Sequence, residues 1–384
     1  MKKILMILAL AASFTACANI NEKENIEKPK LEAVNEDSSN ENVGGSSSDA
    51  PKDQGDFAEN PQLEKHTEKV YEYFDTITTF MAYTKDEKEF ERYVKILRDE
   101  LKTYHEFYNS YDSFEGVNNF RTINENAGKE PVKVDPKIIE LVEYSKKMYE
   151  LTNGKINIAM GSLLGLWHDY REMSLDNPDK AAIPEESMLV KASKHKDIES
   201  IVVDEEKSTV FIKDPDVQID IGAIGKGYAT KIIANRLQEV GLEHGILSVG
   251  GDDVLIGDNP ASNNSYYKIA IQNPNLEDKD NPYSSIVSLK NTSVVTSGDY
   301  QRYFMVDGKR YHHIIDPETM YPSTRWRSVS VILDDIAEAD TISTYLFIID
   351  LEEGREFAKK TGAEVLWIDE DYKSYSTEGW PEVE

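Results

Sequence analysis

An α+β fold, with helices packed on a largely antiparallel sheet, is the architecture this sequence predicts, and three observations carry the prediction. Helix-length segments lie on both sides of a glycine-rich centre, and a strand-dominated stretch fills residues 245–331. No segment recurs with a period of about 20 to 50 residues, which excludes solenoids and propellers.

The folded part is expected to start near Val70, with the preceding segment through residue 66 a tether and the domain spanning 67–384. A strand-like run over 71–84 leads into a helix over 86–108. A second helix covers 136–152, with Pro136 suited to an early helical position. Residues 163–170 read as a hydrophobic turn around Trp167. Residues 201–203 and 210–212 flank a charged turn and predict a hairpin. Another strand is expected over 217–221, then a glycine-rich turn and a helix over 227–240. After the strand-rich stretch, a helix covers 337–349.

The 384 residues suffice for one large domain or two medium ones. A formal net charge of -28 argues against nucleic acid or an anionic membrane as a partner, because phosphates would be repelled. An acidic chain that handles an anion must build positive potential locally. Lys2 and Lys3 followed by an apolar run over 4–14 form a leader too short to span a bilayer. The one cysteine, Cys17, follows Thr15 and Ala16, and this segment resembles a bacterial lipobox in which Cys17 is lipidated. Residues 18–66, poor in large apolar side chains, cannot offset their ordering entropy and read as a flexible tether. Anchorage on the outer face of the cell membrane is the expectation.

Three segments carry chemistry. The first is Asp220-Ile221-Gly222-Ala223-Ile224-Gly225-Lys226-Gly227, which ends a strand and opens a helix. Glycines permit close backbone approach, a helix N-terminus offers unpaired N–H groups to an anion, and Lys226 adds charge. The same pattern also suits a plain strand-to-helix connection. The second runs from Thr296-Ser297-Gly298-Asp299-Tyr300 to His312-His313-Ile314-Ile315-Asp316-Pro317. Adjacent side chains of an extended chain point oppositely, so one histidine is structural and the other is available as base or ligand. The third holds Asp340 and Thr344, four apart on a helix and so on one face. They suit a Mg²⁺ site, or else an N-cap and a threonine bonding its own helix.

The order of these segments, with Asn109-Ser110-Tyr111, residues 154–167 and Gly250-Gly251-Asp252, resembles the ApbE family of FAD:protein FMN transferases. The resemblance implies two subdomains around a flavin cleft and Mg²⁺-dependent transfer of FMN from FAD to a Thr or Ser of a separate acceptor protein, releasing AMP. It puts the metal on Ala223 (through its carbonyl), Asp340 and Thr344. FAD contacts fall on Ile77, Tyr111, Lys155, Ile156, Asn157, Asp220, Lys226 and Ile314. Lys226 and His313 take catalytic roles, electrostatic and basic. Hydrolysis of FAD to FMN and AMP, or flavin binding without turnover, are the alternatives. Asn157, Ala159, Ser162 and Met320 depart from the residues common in the family. Met320 stands where glycine usually sits, so a rebuilt turn is expected there.

Overall fold

The structure, a computed structural model, describes residues 63–381. The leader, Cys17 and the tether up to residue 62 lie outside the described residues. No helix among those described is long and apolar enough to cross a membrane.

The chain enters through β1 (Glu64–Val70) and β2 (Thr78–Thr84), paired antiparallel. The domain therefore starts ahead of the expected boundary at residue 67. β1 is a polar edge strand whose one fully buried residue is Val70, so its composition matches that of a tether. Residues 71–77 form a turn rather than strand, with Phe74 and Asp75 at φ +58° and +48°.

Helix α1 (Glu87–Phe107) is capped by Asp86, whose carboxylate accepts the Glu89 N–H. It buries Phe90, Tyr93, Leu97, Leu101 and Tyr104, an i, i+3/i+4 stripe that faces the sheet. Short α2 (Phe120–Glu125) and β3 (Val132–Lys133) lead to α3 (Pro136–Leu151), which starts on Pro136 as expected. Residues 163–170 lie inside α4 (Gly161–Asp176), not in a turn. Leu163 and Trp167 are one helical repeat apart and both buried; Gly165 meets open space, so it did not mark a break. After α5 (Glu186–Ala192), β4 (Ile201–Asp204) and β5 (Thr209–Ile212) form the expected hairpin.

Residues 217–221 are not a strand. They run beside 158–161, sharing a single parallel bridge between Met160 and Gln218 and an Asp220 N–H bond to the Ile158 carbonyl at 2.8 Å. Val217 and Ile219 are buried, so the alternating pattern is real although the ladder is missing.

Helix α6 (Gly225–Glu239) precedes β6 (Gly245–Val249), β7 (Asp252–Ile256), β8 (Tyr267–Gln272), β9 (Tyr283–Leu289) and β10 (Ser293–Gly298). Hairpin β11 (Tyr303–Val306) and β12 (Lys309–His312) is followed by β13 (Trp326–Leu333), α7 (Ile336–Ile348), α8 (Leu351–Thr361), β14 (Glu364–Asp369) and β15 (Ser374–Ser376). Eight strands make one sheet in the order β1-β2-β6-β7-β10-β13-β14-β15, with every neighbouring pair antiparallel.

Both faces of the sheet are covered, and the side-chain period of two divides its residues between two cores. Leu247, Val249, Val295, Val329, Val331, Val365 and Trp367 face the helical side. Ile246, Leu255, Val294, Ile332 and Leu366 meet the β8–β9 hairpin through Ile269, Ile271 and Val287. A third cluster joins Leu163 and Trp167 to Leu189, Phe304 and Ile315. Helix α7 lies against α6, β10 and β13, buried along nearly its whole length.

Candidate functional site

Helices α6 and α7 cross where Lys226, Gly227 and Asp340 meet. Asp340 is 5% exposed. Its Oδ2 accepts the Gly227 N–H at 2.7 Å, and its Oδ1 lies 3.6 Å from the Lys226 ammonium. Gly227 lies in the first turn of α6, where backbone N–H groups have no acceptor within the helix, and Asp340 satisfies this one from the neighbouring helix. One turn along α7, the Thr344 hydroxyl lies 3.3 Å from the Ser297 hydroxyl of β10, which also pairs with Ser343 at 2.7 Å. Asp340 and Thr344 thus share one face of α7 where it meets α6 and β10, and Ala223 lies half-buried in the turn ahead of α6.

Asp252 and Asp253 open β7 and are 2% and 6% exposed. Asp252 forms an ion pair with Lys226. Asp253 Oδ1 is buried without a donor; burial pushes its carboxyl up to about 7, while Ser248 and Lys226 pull it the other way. Burial likewise lowers the Lys226 ammonium, against the pull of Asp340. Three buried carboxylates gather around one lysine. If all ionise, two negative charges are left over, and an uncompensated buried charge is costly. A divalent cation at Asp340 and Thr344 would cancel that excess, so these residues fit a hard, oxygen-ligated metal.

The second half of the site is an exposed rim. Tyr111 stands 53% exposed, its ring 4.8 Å from that of His168 at 31°. The His168 Nδ1 in turn lies 3.0 Å from Arg171 Nη2. Burial of its surroundings, then the half-buried Asp220, push the Tyr111 hydroxyl up to about 12. Asp220 Oδ1 accepts the Gly222 N–H at 2.8 Å, which shapes the loop before α6. Arg302, on the link between β10 and β11, acts electrostatically on Tyr111, Lys226 and His313, which joins the rim to the buried crossing.

The two histidines separate as alternation requires. His312 is buried, its Nε2–H donating to the Ser323 carbonyl at 2.5 Å while its Nδ1 accepts the Ile314 N–H at 3.2 Å. It is structural. His313 is exposed at the rim and hydrogen-bonds the Arg302 carbonyl. Enclosing protein, then Arg302, His312 and Arg171, hold its pKa well below the usual histidine value. A neutral ring whose one N–H is committed to a carbonyl keeps its other nitrogen free to accept a proton.

The remaining expected contacts are distributed unevenly. Ile77 gives its carbonyl to the Gly250 N–H at 3.1 Å. Lys155 pairs with Glu318 at 2.8 Å and reaches Asp316 at 4.0 Å. Ile156 and Asn157 are buried; the Asn157 amide binds the Lys196 carbonyl and its oxygen accepts the Ala159 N–H, both at 2.8 Å. Ile314 is 5% exposed, and both its backbone groups are taken, by His312 and by the Ser323 N–H. Met320 overturns the expectation of a rebuilt turn: it adopts φ +66°. The turn survives because the Met320 carbonyl accepts the Trp167 indole N–H at 2.9 Å, its N–H binds the Asp316 carbonyl at 2.8 Å, and its side chain packs in the Trp167 cluster.

The sequence assigned no site role to Asp252, Asp253, Ser297, Arg171 or Arg302, although Asp252 and Ser297 stand in the motifs named above. Asp252 and Asp253 carried a signal, since two aspartates heading the apolar run Val254-Leu255-Ile256 have no reason to be buried unless they are used. A second grouping of metal-ligand types, His195 with Asp214 and Asp216, lies on exposed loops. There Asp214 already accepts His195 at 2.9 Å and the Asp216 N–H at 2.9 Å, which accounts for the grouping as a loop clamp.

A model of the ApbE family matches residues 74–367. An FAD:protein FMN transferase of Klebsiella pneumoniae (strain 342) is 32% identical over 234 residues, 60% of this chain and 68% of its own length. Another, from Treponema pallidum (strain Nichols), is 30% identical over 273 residues, 67% and 72% of the two chains. The crystal structure of an ApbE protein from Thermotoga maritima superposes with a TM-score of 0.71 at 26% identity, covering 84% of this chain and 100% of the other. The flavin transferase ApbE from Vibrio cholerae, 23% identical, shares the fold with a TM-score of 0.68 over 83% and 98% of the chains.

Proposed function

The chain belongs to the ApbE family, and from that premise we propose that it is an FAD:protein FMN transferase, moving FMN from FAD to a Thr or Ser hydroxyl of a separate protein and releasing AMP. The observation that supports this reading is the crossing of α6 and α7, where Asp340 stands 3.6 Å from Lys226 and one turn from Thr344, with Arg302 acting electrostatically on Lys226, Tyr111 and His313 alike.

The acceptor hydroxyl oxygen attacks the phosphorus on the FMN side of the diphosphate. The phosphoanhydride bond breaks, and AMP leaves with the bridging oxygen and its electron pair. His313 takes the hydroxyl proton on its free ring nitrogen. Lys226, held among carboxylates at the helix start, offsets charge developing on the transferred phosphoryl group. Tyr111 supplies a half-exposed aromatic face for a ring of the dinucleotide. Ala223, Asp340 and Thr344 would hold Mg²⁺, which when bound neutralises diphosphate oxygens and polarises the phosphorus.

Replacing His313 by alanine is expected to slow flavin transfer by about 10²- to 10⁴-fold, the usual contribution of a general base. The assay follows covalent flavin on a candidate acceptor by mass, with free FMN and AMP measured alongside. Unchanged transfer by His313→Ala at saturating FAD would remove it from the base role. Accumulation of free FMN and AMP with no acceptor mass shift would replace transfer by hydrolysis, and no AMP at all would leave a flavin-binding protein. We further infer lipid anchorage through Cys17, supported by the leader and by Thr15 and Ala16. Cys17→Ala should then move the protein out of the membrane fraction, and an unchanged distribution would refute the anchor.

A further inference from the structure

Lys226 is shared by two carboxylates that arrive from different elements. Asp252 opens β7, is almost wholly buried, and its Oδ2 has no neighbour among the described residues to satisfy it other than the Lys226 ammonium. Asp340 comes from α7. Its Oδ2 is spent on the Gly227 N–H, so Oδ1 is the oxygen left for a further partner, and the ammonium stands 3.6 Å from it. The lysine therefore lies between the two carboxylates, in an ion pair with Asp252 and 3.6 Å from Asp340 Oδ1.

A lysine has a flexible stem and three freely rotating donors, so its own backbone does not decide which carboxylate it serves. Coulomb attraction in a water-poor site does. With Asp252 neutralised, Asp340 is the carboxylate that remains within ion-pair distance of Lys226, Asp253 acting on the lysine from farther off. The ammonium would then settle on Oδ1 and compete with the cation for it. We propose that Asp252 is a positioning residue that draws Lys226 off Asp340 and so keeps Asp340 Oδ1 open to a divalent cation. The inference rests on the metal-assisted reading above and adds to it a residue that touches neither metal nor substrate.

The test is calorimetric titration of the full-length protein with Mn²⁺, without FAD, in four forms: unaltered, Asp252→Asn, Lys226→Met, and the double variant. Asp252→Asn is expected to weaken Mn²⁺ binding about tenfold or more, as loss of a supporting contact around a metal ligand commonly does. Lys226→Met is expected to bind at least as tightly as the unaltered protein. In that background, where no lysine competes, Asp252→Asn should cost less than about threefold, the residue of its long-range charge. Equal losses in both backgrounds would mean a merely structural role and overturn the proposal, as would undiminished binding by Asp252→Asn. Asp252→Glu retains the carboxylate and should stay within about threefold of the unaltered protein; it carries the test if Asp252→Asn does not fold, and a tenfold loss there would overturn it. Absence of Mn²⁺ binding by the unaltered protein and by Lys226→Met would overturn the metal reading itself, an outcome distinct from any contrast between variants.

Discussion

Asp340→Ala is expected to lower flavin transfer by on the order of 10³-fold or more, because one carboxylate has three tasks at the crossing of α6 and α7. It accepts the Gly227 N–H, contacts Lys226 and presents Oδ1 on the same helix face as Thr344. Alanine removes all three. It also leaves the buried Gly227 N–H without its acceptor, at about 1–3 kcal/mol, so part of the loss would be structural. Asp340→Asn separates the contributions. Its amide oxygen can still accept the Gly227 N–H and its volume is unchanged, but the charge is gone. Asn is therefore expected to keep the unfolding midpoint close to that of the unaltered protein while remaining nearly as inactive as Ala. The measurement is covalent flavin on the acceptor against time, with urea unfolding of each variant. An Asp340→Asn protein that transfers within about tenfold of the unaltered rate would show that charge at this position is dispensable, contrary to the reading of the site.

A large structural penalty at the site is expected from Gly227→Ala. A Cβ at this position would lie 2.4 Å from the Asp340 Cβ, 2.8 Å from its Oδ2 and 2.9 Å from the Ile336 carbonyl. None of these is the loose end of a flexible chain, so α6 and α7 would have to move apart. Overpacking a close-packed core costs about 1–3 kcal/mol, and the Asp340 hydrogen bond would be strained with it. We expect a stability loss near the top of that range, together with a transfer rate reduced by about two orders of magnitude through displacement of Asp340. Gly222→Ala is the internal comparison. Its Cβ would meet a single atom, Asp220 Oδ1, at 3.0 Å, a side-chain end that can give by a few tenths of an ångström without moving a helix. Urea titration should place Gly222→Ala close to the unaltered protein and Gly227→Ala well below it. Equal stability of the two would mean that the glycines serve the loop rather than the helix crossing.

The helices with strong local signals were legible in the sequence. The stripe from Phe90 to Tyr104, the proline at the start of α3 and the apolar run of α7 each determine their own structure through spacing and caps. What misled was segments whose state depends on distant partners. β1 is as polar as a tether and becomes a strand because β2 offers it a ladder. Residues 217–221 alternate like a strand but find only one bridge. Residues 163–170 read as a turn around Trp167, whereas the helix there is held by contacts with Phe304, Tyr311 and the Met320 carbonyl.

The same distinction runs through the site. Lys226 and the Asp340–Thr344 pair stand out as local motifs, whereas their roles and the choice of His313 come from the resemblance to the ApbE family. The separation of His312 from His313 followed from strand alternation alone. Asp252, Asp253 and Arg302 act through approach in space to residues far away in sequence, and no spacing rule connects position 252 with position 226 or 340. Met320 shows the reverse error. A residue type judged unfit for a left-handed turn is held there by one local bond, to the Asp316 carbonyl, and by contacts with the distant Trp167 and its cluster.

Helix α7 is enclosed by α6 and by strands of the sheet, so Asp340 and Thr344 are carried by one of the most deeply embedded elements of the domain. For a lineage adapting to new acceptors, this divides the site into two kinds of territory. Substitutions on α7 alter the core and the chemistry together and are tolerated rarely. Tyr111, Arg302 and His313 stand on exposed ground, where neighbours can change with little effect on folding. On the proposed function, changes of acceptor choice are therefore expected to fall on the rim and not on α7.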